Sequence, residues 1–119
     1  MTPPLRGEIW SVRIPGQPDD PHQPRPALVV SANVRNRLAD DLMIVPVFSR
    51  GADGPTHVRI GGGVGGLKGD GVLFCEELTT IDRDFLSRGP WGPPVPNDVV
   101  MAVIRAVRRA LGETVPEPS

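Results

Sequence analysis

The chain reads as mainly β with a C-terminal helix: a small, strongly bent antiparallel barrel of five to seven short strands. Three observations lead there. Short apolar runs recur along the first two thirds of the sequence, the 15 prolines and 14 glycines fall between those runs without forming a repeat, and the apolar period changes from strand to helix after Asn97.

Taken in order, Glu8 to Ile14 sets Ile9, Trp10, Val12 and Ile14 against Glu8, Ser11 and Arg13, the pattern of a half-buried strand. Pro15 to Pro24 is a loop. Arg25 to Ser31 is a near-continuous apolar strand, and Asn33 to Leu38 a short turn or helical piece with Arg35 and Arg37 outward. Leu42 to Ser49 is another central strand, although Pro46 lacks a ladder donor and calls for a bulge or an unpaired edge. Thr56 to Ile60 alternates as a fourth strand, and Gly71 to Cys75 and Glu77 to Ile81 complete the sheet. The glycine run from Gly61 to Gly66 reads as a slack connection, because no Gly-Lys-Ser/Thr follows it and no strand-to-helix context fits a phosphate cradle. In the helix, Asn97 is the expected N-cap, Val100, Val103, Ile104, Val107 and Leu111 form the apolar stripe, and Gly112 follows as C′. Arg105, Arg108 and Arg109 lie off that stripe on a solvated face, Trp10 belongs to the core, and Trp91 to a packed loop near the helix.

At 119 residues the chain makes one domain, residues 1–119, with its core over about 6–111 and a tail, 113–119, expected to fray. Thirteen basic against 14 acidic residues give a net charge of −1, which excludes a global basic field and confines any nucleic-acid contact to a local patch. Cys75, the single cysteine, has no intramolecular partner and reads as a small core residue of a reducing compartment. No apolar run approaches the ~18 residues of a membrane span, so a soluble, cytoplasmic protein is expected.

Chemistry concentrates at Arg25, where the polar, proline-rich stretch gives way to an apolar strand. A guanidinium rooted in a buried strand and directed at a loop is a rigid cation for an anionic substrate. The next central strand ends in Ser49 and Arg50, so adjacent strands bring a hydroxyl and two guanidiniums to one rim, a set that suits a phosphodiester. A strand-edge arginine and a loop-capping serine fit the same residues equally well.

Five blocks taken together resemble the MazF/PemK family of toxins: Arg6-Gly7-Glu8-Ile9-Trp10, Arg25-Pro26-Ala27-Leu28-Val29-Val30-Ser31, Ile44-Val45-Pro46-Val47-Phe48-Ser49, Leu67-Lys68-Gly69-Asp70-Gly71-Val72 and Cys75-Glu76-Glu77-Leu78-Thr79-Thr80-Ile81-Asp82. The similarity runs from about Arg6 to Leu111 in the family's order. It implies a Src-homology-three-like antiparallel barrel of the MazF/CcdB type and a homodimeric endoribonuclease. Such an enzyme cuts single-stranded RNA at short sequences, needs neither metal nor cofactor, and is neutralised by a MazE-type antitoxin. Arg25 falls on the family's catalytic arginine and Ser49 where the family usually has threonine. Asp20 falls where many members have glutamate, in a loop otherwise altered. Glu76 and Glu77 fall on a Glu-Gln pair, and a carboxylate at the second position accepts but does not donate.

Cleavage of this kind proceeds by attack of the RNA 2′-hydroxyl on the adjacent phosphorus, leaving a cyclic phosphate and a free 5′-hydroxyl. Arg25 suits stabilisation of the charged transition state, and Ser49 adds a hydrogen bond to a nonbridging oxygen. Two groups compete for the general base, Asp20 and His57. Bases of single-stranded RNA are read by loops, which makes Gln17, His22, Gln23, Arg50 and Asp53 candidate contacts, with His57, Glu76 and Glu77 beside them. Two other functions share the fold: a CcdB-like gyrase poison, disfavoured by a tail without Trp, and an inactive binding module.

Overall fold

The computed structural model describes residues 2–14, 16, 19–21 and 23–118. Among the described residues, seven strands and two α-helices follow one another as β1 (Ile9–Val12), β2 (Arg25–Val29), α1 (Asn33–Leu38), β3 (Asp41–Phe48), β4 (His57–Ile60), β5 (Gly71–Phe74), β6 (Thr79–Asp82), β7 (Leu86–Arg88) and α2 (Asn97–Ala110). Short 3₁₀ turns occupy Val64–Gly66, Cys75–Glu77 and Arg83–Phe85.

Every strand pairing is antiparallel, in the order β4-β5-β3-β2-β1-β7, with β6 attached to β3 off that path. The sheet is bent but not closed, so the expected barrel is an open one with β4 and β7 at its ends. β3 is the hinge of the bend. On one side it pairs with β2 through Ile44 to Pro46; on the other, β6 pairs with Asp41 to Ile44 and β5 with Val47 and Phe48. Val45 and Pro46 fall in the gap between β6 and β5, and there a residue without an N–H costs no ladder bond.

Alternating side chains fill a cluster on each face of the sheet. On one face Ile9, Leu28, Val45, Val47 and Leu73 pack against Val100, Val103 and Ala106 of α2. On the other, Trp10, Val12, Ala27, Val29, Leu42, Ile44 and Ile81 pack together, with Leu86 against them. β1 is therefore buried along its whole length, where half-burial was expected. Burying Val100 and Val103 fully contributes about 1.5–3 kcal/mol each, enough to hold α2 in place.

The helix differs from its sequence reading at both ends. Asn97 is the first helical residue, not the cap; Pro96 precedes it in an extended conformation and gives no side-chain cap. Leu111 is 82% exposed, and Ala106 takes the inner position instead. Gly112, with φ 97°, adopts the left-handed conformation that a C′ residue needs.

The tail expected to fray makes specific contacts with α2. Arg108 donates from Nε and Nη2 to the two carboxylate oxygens of Glu113, both at 2.7 Å. Arg109 donates from Nε to the Val115 carbonyl at 2.7 Å and pairs with Glu117 at 2.9 Å. The basic face of the helix is thus partly covered by the chain's own acidic end.

Candidate active site

The β1–β2 loop and the end of β3 build the site. Arg25 opens β2, and its Nη2 lies 2.6 Å from Asp20 Oδ2, with both side chains largely withdrawn from water at 12% and 14% exposure. Its Cζ stands 4.2 Å from the centroid of the Phe48 ring, the last residue of β3. A carboxylate on one side and an aromatic face on the other fix the planar guanidinium, and its Nε is left buried without a partner among the described residues.

A cavity of about 440 Å³ opens beside this group, lined by Arg25, Pro26, Val47, Phe48, Ser49 and Arg50. Ser49 and Arg50 are exposed, and neither side chain is engaged by another described residue. The hydroxyl and the two guanidiniums expected at one rim therefore do line one cavity.

Gln23 is placed differently from an RNA-reading side chain. Its Oε1 accepts from the Ile14 N–H at 3.0 Å and its Nε2 donates to the Ile14 carbonyl at 3.1 Å. That two-point clamp ties the ends of the β1–β2 loop together and so sets where Asp20 meets Arg25. Gln17 and His22 lie outside the described residues.

His57, Glu76 and Glu77 belong to a neighbouring station. Register places His57 of β4 opposite Phe74 of β5, and their rings stack at 4.1 Å with 10° between planes. Phe74 in turn lies 4.3 Å from Phe48 with 40° between planes, so Arg25, Phe48, Phe74 and His57 form a continuous column across β2, β3, β5 and β4, stacked at its His57 end and tilted between the two Phe rings. His57 Nδ1 lies 2.7 Å from the Ala52 carbonyl, an acceptor only, so Nδ1 carries a hydrogen. Nε2 lies 2.9 Å from Glu76 Oε2, and Thr56 Oγ1 donates to Glu76 Oε1 at 3.2 Å. The bond to Ala52, then that to Glu76, raises the His57 pKa above its usual 6.5. Partial desolvation pushes Glu76 up, but its bonds to His57, to backbone and to Thr56 outweigh this and lower it overall. Glu77 stands in the same 3₁₀ turn, where its carbonyl accepts from Thr79.

The β3–β4 loop behind Ser49 and Arg50 is held from three directions. His57 bonds Ala52, Arg59 Nη2 donates to the Gly51 carbonyl at 3.1 Å, and Arg59 Nε pairs with Asp53 at 2.5 Å. Asp53 thus serves the loop's own structure. Gly51 passes so close to Phe74 that a Cβ there would sit 2.5 Å from the ring, which requires glycine.

Cys75 is buried, and its thiol is pushed up to about 12 by burial and then by the charge of Glu76, which makes it an inert core group. Among the described residues no group of three His, Cys, Asp or Glu side chains converges as a metal site would require, and no helix is long and apolar enough to cross a membrane.

The sequence singles out Arg25, Asp20, Ser49 and Arg50, which the structure brings to one place, but not Phe48 and Phe74, whose part depends on which strands lie side by side. The one available signal was a single aromatic closing each of two apolar runs, Phe48 and Phe74.

Solved structures with this fold are closely similar. An endoribonuclease from Mycobacterial species is 26% identical, with a TM-score of 0.75 and coverage of 98% of each chain. An endoribonuclease in complex with its cognate antitoxin, also from Mycobacterial species, is 26% identical over 95% of this chain and 99% of that one, with a TM-score of 0.74. MazF from Deinococcus radiodurans, at 23% identity, superposes with a TM-score of 0.77 over 95% of this chain and 100% of its own. No curated protein sequence matches the chain significantly. Residues 5–111 match the family described as PemK-like, MazF-like toxin of type II toxin-antitoxin system, and the chain belongs to that family.

Proposed function

We propose that this toxin is an endoribonuclease that cuts single-stranded RNA without a metal ion, at the cavity between Arg25 and Ser49. The observation that carries this reading is the Arg25 guanidinium, braced by Asp20 and Phe48 and left with a buried, unpartnered Nε at the edge of a cavity that also holds Ser49 and Arg50. A buried donor without an acceptor costs about 1–3 kcal/mol, a penalty relieved when a phosphate oxygen arrives. Such a group is preorganised for an anion.

In the proposed reaction the 2′-oxygen attacks phosphorus, the bond to the 5′-oxygen breaks, and a 2′,3′-cyclic phosphate and a 5′-hydroxyl result. Arg25 stabilises the doubly charged state with its fork of donors, and the Ser49 hydroxyl donates to a nonbridging oxygen. Asp20, the carboxylate next to Arg25, takes the proton of the 2′-hydroxyl, while the departing oxygen takes one up from solvent. Arginine, with a pKa above ~12, is a poor base and serves by charge. His57 has both ring nitrogens engaged and works as a latch on the loop that carries Ser49 and Arg50.

The chain is further proposed to act in the cytoplasm as a homodimer and to be held inactive by an acidic antitoxin segment. The mycobacterial endoribonuclease described above was solved in complex with its cognate antitoxin, and a cavity built for a phosphodiester also attracts carboxylates. Glu76 and Glu77 are proposed to meet the RNA at the His57 end of the column. The test is incubation of the purified protein with long single-stranded RNA in EDTA. Cuts that leave cyclic or 3′-phosphate ends support the reading; activity lost on chelation and restored by added metal rejects the mechanism.

A further inference from the structure

Three cavities run in series along one side of the molecule. The Arg25 cavity shares Pro26, Val47, Phe48 and Ser49 with a second of about 240 Å³, which continues past Leu67, Gly69 and Asp70. This second cavity shares Lys68 and Trp91 with a third of about 400 Å³, whose far end is formed by Arg88, Gly89 and Pro90. The result is one groove, with Arg25 and Arg50 at one end and Lys68, Trp91 and Arg88 at the other.

Trp91 sits in the loop between β7 and α2 and is half-buried. Its Nε1 donates to Ser11 Oγ at 3.1 Å and its backbone N–H to the Ile9 carbonyl at 2.9 Å. Gly66 approaches so closely that a Cβ there would lie 2.5 Å from the Trp91 carbonyl oxygen. The indole is therefore held at its polar edge and along its backbone, and stacking on it needs little further ordering. Lys68 and Arg88 are exposed, and neither side chain has a partner among the described residues. The acid on this stretch of wall, Asp70, accepts from the Gly62 N–H at 2.8 Å.

We propose that Trp91, flanked by Lys68 and Arg88, forms a second subsite for single-stranded RNA, where a base beyond the scissile phosphate stacks on the indole and its phosphates meet the two cations. A rigid aromatic between unpaired cations matches the alternating bases and phosphates of a single strand. The proposal rests on the endoribonuclease reading, because it is the same groove that leads to Arg25. Volumes of this size accommodate a nucleotide.

The test uses a fluorescein-labelled random pool of 2′-O-methyl RNA, about a dozen nucleotides long, which lacks the attacking hydroxyl and so binds without being cut. The double variant Lys68→Gln, Arg88→Gln, with both changes exposed, should bind about tenfold more weakly. Its salt dependence should be shallower by about 1.4 in log–log slope, about 0.7 for each lost phosphate contact. Indole emission of the unmutated protein should change on binding, and this change should vanish in Trp91→Phe, since Trp10 is buried. If affinity, slope and emission all stay put while the unmutated chain cuts RNA, the groove ends at Ser49 and only this proposal falls. If the unmutated chain neither binds nor cuts RNA, both readings fall. A double variant that lowers the mass seen by light scattering while binding RNA normally marks the groove as an interface between copies and overturns the subsite.

Discussion

Arg25 and Phe48 meet across adjacent strands, guanidinium carbon to ring centroid 4.2 Å. On the opposite flank Asp20 holds Nη2 at 2.6 Å. The cation is therefore fixed in plane and position before any substrate arrives, and both contacts favour a flat, delocalised charge over a point charge.

Replacing Arg25 by alanine should lower the rate of RNA cleavage by at least ~10²–10³, the effect of losing one preorganised donor. Arg25→Lys should recover little of it, because an ammonium neither stacks on Phe48 nor donates as a fork. Thermal unfolding should show that both variants remain folded. Cleavage by Arg25→Ala at the parent rate would remove the site assignment.

Much of this site could be read from the sequence. Arg25 and Ser49 each stand at the mouth of an apolar run, and strand ends are legible from where such runs stop. The column from Arg25 to His57 was not legible, because it depends on β5 lying between β3 and β4 with His57 opposite Phe74, a register set by tertiary pairing. Nor was the Trp91 groove, which needs the 3₁₀ turn at Val64–Gly66 and the β7–α2 loop to meet. β7 escaped notice for a simpler reason: it has three residues, of which only Leu86 is apolar. The helix is legible from its period, yet Leu111 fits the stripe and still lies in water, since it stands one residue past the last helical residue, Ala110.

Ser49 is exposed and its hydroxyl is engaged by no described residue, so its substitutions should report on chemistry with little effect on folding. Ser49→Ala should slow cleavage less than Arg25→Ala does, since one neutral hydrogen bond is weaker than a charged fork. Ser49→Thr keeps the hydroxyl and should cut at the parent rate or faster. A loss of more than about tenfold in Ser49→Thr, measured at saturating RNA, would show that the cavity is shaped around serine and has no space for the added methyl.

The His57–Glu76 pair should give stability a pH window. His57 has its pKa raised in the folded chain, so its contribution is fully present below the unfolded value of 6.5 and is lost as pH rises through the folded value. Glu76 has its pKa lowered, so its contribution is fully present above the unfolded value of 4.5 and is lost as pH falls through the folded one. Both are complete only between about 4.5 and 6.5. The unfolding midpoint of His57→Gln should therefore fall furthest below the parent's inside that window, with the gap narrowing on either side. Cleavage should follow a different course: the latch holds the Ala52 backbone and not the phosphate, so His57→Gln should raise KM more than it lowers kcat. A gap that does not vary with pH would show that the ring acts by stacking on Phe74 alone, and a collapse of kcat with KM unchanged would return His57 to the chemistry itself.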